Sequence, residues 1–108
     1  MKYIIELKAD GEVIKKECRD DYTPTLEELQ RAVDGYIETV AVFAGDRGVV
    51  KLIVNKERII NWLRLNRRAI KLYGQYIFGD AVILLEDGEE LVPLDEKEVE
   101  FIYYLLLR

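Results

Sequence analysis

Tyr36–Val54 reads YIETVAVFAGDRGVVKLIV, two apolar runs rich in β-branched residues on either side of Gly45-Asp46-Arg47-Gly48. Val, Ile, Thr and aromatic side chains suit the pleated surface of a strand, and a polar, glycine-bearing tetrapeptide between two such runs is a hairpin turn. In the first run Ile37, Thr39, Ala41 and Phe43 fall on one face, and Tyr36, Glu38, Val40 and Val42 on the other. A strand apolar on both faces is expected to be covered on both, which puts this hairpin in the middle of a sheet. The tetrapeptide is not a phosphate loop: it lacks the Gly-Lys-Ser/Thr ending and joins two strands instead of leading into a helix.

Toward the N-terminus, Lys2–Lys8 alternates Tyr3, Ile5 and Leu7 with Lys2, Glu6 and Lys8, and Asp10-Gly11 supplies a turn before Glu12–Glu17. This is a second hairpin. Thr25 followed by Glu28 has the spacing of a capping box, so a short helix starts there, with Leu26, Leu29 and Val33 on its apolar stripe and Asp34-Gly35 as its stop. Toward the C-terminus, 55–74 admits two readings, one long helix or a shorter one capped by Asn66, both ending at Gly74. Tyr76–Glu86 reads as a buried strand interrupted by Gly79, where a bulge or close backbone approach is expected. Asp87-Gly88 turns into a short edge strand that Pro93 stops, and Asp95 with Glu98 opens a last helix. Strands and helices alternate without βαβ regularity. The expected fold is one α+β domain over 1–108, with a mainly antiparallel sheet of five to six strands and two to three helices packed on it.

The 108 residues are half apolar, enough for one core, and carry a net charge of -5. That charge is unevenly spread. Arg47–Lys71 holds eight basic residues against Glu57 alone, a local +7, while the other 8 basic and 20 acidic residues leave -12 elsewhere. The single Cys18 cannot form an intramolecular disulfide and, with no histidine to activate it, reads as a small apolar side chain in a reducing, cytoplasmic setting. The same ligand shortage argues against a structural zinc site, and no cofactor is expected. No stretch has the roughly 20 apolar residues of a membrane span, and the N-terminus lacks a signal-peptide pattern.

Three fragments together resemble the bacterial and phage family known as domain of unknown function three-eight-four-six: Leu29–Val40 (LQRAVDGYIETV), Leu65–Leu72 (LNRRAIKL) and Ile77–Leu84 (IFGDAVIL). Gly35-Tyr36-Ile37-Glu38 is the most distinctive part, and the similarity spans roughly residues 26 to 100. Arg58-Ile59-Ile60-Asn61-Trp62 departs from it, being basic, apolar and glycine-free. The resemblance implies a setting more than a chemistry: an accessory protein of a phage or plasmid, acting in the host cytoplasm on a host macromolecule or signalling nucleotide.

The candidate ligand residues are Arg64, Arg67, Arg68 and Lys71, whose spacing makes one cationic stripe if they share a helix, with Asn66 or Trp62 to hydrogen-bond or stack on a base. Glu38 is added because a carboxylate among apolar strand neighbours needs a partner if buried. The bland alternative is a solvated face paired with the surplus acids. A nucleotide-like small anion is favoured over duplex nucleic acid, which the overall negative charge repels. A protein–protein module meeting an acidic host protein is a further reading. An enzyme is the poorest fit, since no activated nucleophile or paired-carboxylate motif can be assembled. Val99, Phe101, Ile102, Tyr104, Leu105 and Leu106 exceed one apolar stripe, so homo-oligomerisation through the last helix is expected.

Overall fold

A computed structural model describes residues 1–57 and 63–108. Its elements are β1 (Lys2–Leu7), β2 (Val13–Cys18), α1 (Leu26–Val33), β3 (Ile37–Ala44), β4 (Val49–Asn55), α2 (Arg67–Tyr73), β5 (Ala81–Asp87), β6 (Glu90–Val92) and α3 (Glu96–Leu107). The strands form one antiparallel sheet in the order β2-β1-β5-β4-β3, and β6 continues the β1 edge of β5. The fold is α+β, with three helices on a six-stranded sheet.

Strand alternation assigns the two faces. Tyr3, Ile5 and Leu7 of β1, Val50, Leu52 and Val54 of β4, and Ala81, Ile83 and Leu85 of β5 point to one face, where α2 and α3 add Ala69, Val99, Ile102 and Leu106. Ile53, Val82 and Leu84 point to the other, under Leu29 and Val33 of α1. Each fully buried aliphatic side chain contributes about 1.5–3 kcal/mol, so β5, buried on both faces from Ala81 to Leu85, is the energetic centre of the domain. Leu26, expected on the α1 stripe, is instead exposed at the first position of the helix, and Leu29 and Val33 alone are buried.

The expectation that β3 lies mid-sheet is overturned. β3 is an edge strand, and the central positions belong to β5 and its neighbours. Between Ala41↔Lys51 and Phe43↔Val50 the register shifts, leaving Val42 as an extra residue. This bulge moves Phe43 onto the α3 face with Val40 and Val42, so the simple alternation read from the sequence breaks there. The apparent two-sided apolarity is partly this phase change.

The α2 region resolves in favour of the shorter helix. Asn66 is the N-cap, its side chain accepting from the Ala69 N–H, and Gly74 closes the helix in the left-handed conformation. Both predicted capping boxes form, at Thr25/Glu28 and Asp95/Glu98. Among the described residues no helix is long and apolar enough to cross a membrane.

Candidate functional site

Three segments distant in sequence converge at the end of the sheet where β1 turns into β2. Leu65 bridges to Phe78, with the Gly79 N–H donating to the Arg64 carbonyl at 2.6 Å and the Asn66 N–H to the Ile77 carbonyl at 2.8 Å. Gly79 has φ +86, and a Cβ there would stand 2.8 Å from Leu63 Cδ1, so glycine serves both the backbone conformation and the close approach. Asn66 then ties everything together: its Nδ2 donates to the carbonyls of Leu7 and Gly79, both at 2.8 Å. Asp80 accepts from the Ala9 N–H at 2.8 Å and pairs with Lys8 at 3.1 Å, a contact that holds the Lys8 ammonium above its ordinary range.

On this frame Arg64 and Arg67 line one open depression of about 380 Å³ together with Ala9, Asp10, Gly11 and Leu65. Arg68 is steered to the same turn by a 2.7 Å bond from Nε to the Gly11 carbonyl. Among the described residues no carboxylate lies within ion-pair distance of Arg64, Arg67, Arg68 or Lys71. Asp10 is the acidic residue in the lining, and its Oδ1 accepts from the Glu12 N–H. α1 and α3 begin with acidic residues, whereas the first turn of α2 contains none and starts Arg67-Arg68. Cations at that end oppose the helix dipole, at a cost of a few tenths of a kcal/mol to about 1 kcal/mol each.

The remaining basic residues of the 47–71 window divide. Arg47 reaches Glu98 at 2.8 Å, Asp95 at 3.2 Å and the Pro93 carbonyl at 3.1 Å, pinning the β3–β4 turn to the start of α3. Lys51 pairs with Glu86 at 3.6 Å. These two are structural.

The expected site is therefore assembled only in part. Arg64 lies ahead of the α2 cap, so the four-residue helical stripe does not form; Arg64 and Arg67 meet through the depression instead, and Lys71, exposed in the last turn of α2, is not part of its lining. Asn66 is fully buried with its amide engaged by Leu7, Gly79 and Ala69, so it positions the arginines and does not face a ligand. Glu38 is exposed on the β3 edge, where the desolvation argument for a buried partner does not apply, and it stands apart from the depression. Trp62 lies outside the described residues. The turn at Ala9–Gly11 was missed as part of the site: Asp10-Gly11 announces a turn, but nothing local ties it to residues 64–68.

Cys18 sits half-exposed at the end of β2, and burial together with Asp20 pushes its thiol up, the wrong direction for a nucleophile. Among the described residues no group of three or more metal-ligating side chains is brought together.

Fold and site together define a small α+β domain with helices on both faces of an antiparallel sheet and an arginine-lined depression at one end. The chain belongs to the family described as Domain of unknown function (DUF3846), whose family model matches residues 1–106. That match takes in the N-terminal hairpin and nearly all of α3, beyond the stretch on which the sequence resemblance rested. No curated protein and no solved structure matches the chain.

Proposed function

We propose that this protein is a non-enzymatic binding protein of a phage or other mobile element that holds a phosphate-bearing, nucleotide-like anion on Arg64, Arg67 and Arg68. One observation carries the reading: in an acidic chain, these guanidinium groups gather around one turn with no carboxylate in ion-pair contact among the described residues, while Arg19, Arg31 and Arg47 each have one. Guanidinium forks match phosphate oxygens in pairs, and the terminal nitrogens of Arg68 remain available once Nε is held by Gly11. The first turn of α2 breaks the usual charge preference, which is the pattern expected where function overrides local stability. The mobile-element setting, and sequestration of a host signalling nucleotide as its use, rest on the family resemblance.

Thermal-shift measurements of the purified protein against nucleotides, cyclic nucleotides and pyrophosphate test this. A ligand at 100 times its Kd stabilises by about 2.7 kcal/mol, a rise in Tm on the order of 10 °C for a domain near this size. The double variant Arg64→Glu/Arg67→Glu should keep its fold, within about 0.5 kcal/mol of the parent, and lose the shift. If no phosphate compound raises Tm at saturating excess, the proposal fails. A gel shift with duplex DNA that weakens steeply with salt would instead make the ligand a polyanion.

A further inference from the structure

The two outer strands of the sheet are built differently. β2 carries Lys15, Lys16 and Glu17 on exposed positions, charges that discourage another strand from pairing. β3 offers Ile37-Glu38-Thr39-Val40-Ala41, with one charge and no proline before the bulge. The Lys56 N–H donates to the Tyr36 carbonyl at 2.8 Å, and this sets the phase of the β3–β4 ladder. Tyr36, Glu38 and Val40 turn their backbone groups toward β4, so Ile37, Thr39 and Ala41 turn theirs outward. Among the described residues those outward groups have no backbone partner.

Exposed aromatic rings flank both ends of this open edge. Tyr36, 68% exposed, sits at its start; Phe101 and Tyr104, 44% and 59% exposed, sit at its far end. There Phe101 meets Phe43 edge-on at 4.8 Å between centroids and stacks on Tyr104 at 6.1 Å. By the alternation of β3, Tyr36 lies on the same sheet face as Val40 and Val42, the face of α3.

We propose that β3 pairs antiparallel with β3 of a second copy of this chain, about a two-fold axis at Thr39, joining the two sheets into one. In that register Thr39 faces Thr39 of the second copy and Ile37 faces its Ala41, so all three outward-turned residues exchange both backbone hydrogen bonds. Glu38 falls opposite Val40. Sliding one step toward the start of the strand leaves Ala41 facing Gly35, ahead of the strand, and one step the other way leaves Ile37 facing Phe43, beyond the bulge. A two-fold axis normal to the sheet keeps the same face up in both copies. Tyr36 of each copy then comes opposite Val42 of the other, beside Phe43, Phe101 and Tyr104, and the exposed rings of both copies are covered by one operation. A fully buried ring hides about 150–250 Å², and with only 44–68% of each ring still exposed the three rings supply up to about half of the roughly 800 Å² per partner of a standard interface, the strand edge having to supply the rest. α3 supplies rings, but the strand edge sets the axis. The arginine depression lies beside β1, separated from β3 by β5 and β4, so this pairing stands or falls independently of the anion.

Sedimentation equilibrium should give a mass twice the 12.6 kDa of the chain, decreasing on dilution. Thr39→Lys puts two ammonium groups on the axis and should sediment as a monomer with unchanged circular dichroism and the Tm of the parent diluted to its monomer. Hydrogen exchange on the parent protein provides a readout that does not depend on the variant folding: the Thr39 and Ala41 amides should be protected, and lose protection on dilution. A parent that is monomeric at every concentration reached overturns the proposal. So does a dimer that survives Thr39→Lys but is dissociated by Tyr104→Ala, or one in which those two amides exchange as an open edge.

Discussion

Asn66 shows how one side chain can hold a domain's end together. It caps α2 and also holds the carbonyls of Leu7 and Gly79, 59 and 13 residues away in sequence. Asn66→Ala removes a cap worth about 0.5–2 kcal/mol and strips a donor from two buried carbonyls at about 1 kcal/mol each. We expect a loss of roughly 2–4 kcal/mol in urea unfolding, with anion binding weakened as well, because Arg64 and Arg67 are hung from this residue. Gly35 illustrates the same economy where α1 meets the end of β4. A Cβ there would come within 2.6 Å of Asn55 Nδ2, the atom that donates to the Val33 and Asp34 carbonyls at the end of α1. The Asn66 cap and the Asp34-Gly35 stop were both legible as local punctuation, although the left-handed conformation expected of the glycine is taken by Asp34; their long-range partners were not.

Among the elements, α1 and α3 are each secured at their start by a carboxylate with a second task. Glu28 accepts from the Thr25 N–H and from the Tyr22 hydroxyl at 2.7 Å. Those bonds, the backbone one foremost, hold its carboxyl below the ordinary range, and the Tyr22 hydroxyl is pushed up to about 12 by the same pairing. A lowered folded pKa means the stabilisation is complete above the ordinary carboxylate value and disappears as pH falls through the lowered one. The Tm of the parent should exceed that of Glu28→Gln at neutral pH, and the gap should close as the pH drops below about 4. Glu98 caps α3 and binds Arg47, so the same group starts the helix and docks it on the β3–β4 turn. Arg47→Ala leaves this buried carboxylate without its cation. With Arg47 itself partly solvated, the expected cost is roughly 2 kcal/mol, short of the about 3–5 kcal/mol of a fully buried pair, measurable by chemical denaturation.

At the scale of the whole molecule, charge and exposed apolar surface are segregated: the arginine depression opens beside the β1–β2 turn, and the open strand edge with its rings lies across the sheet. A small phosphate compound carries no condensed counterion atmosphere to release, so its binding should lose less affinity with salt than binding of a polyanion, a contrast that titrations at two ionic strengths will reveal. Hairpins, capping boxes and helix stops were determined by the sequence alone, because each depends on residues within a few positions of one another. Strand order was not, since the neighbour of β5 could not be read from β5. The bulge at Val42, the placing of β3 on the edge and the meeting of Arg64 with a turn more than fifty residues upstream were decided by tertiary structure. In each case the deciding force is packing or hydrogen bonding between segments far apart along the chain, and no local pattern of residue types encodes which distant segment will arrive.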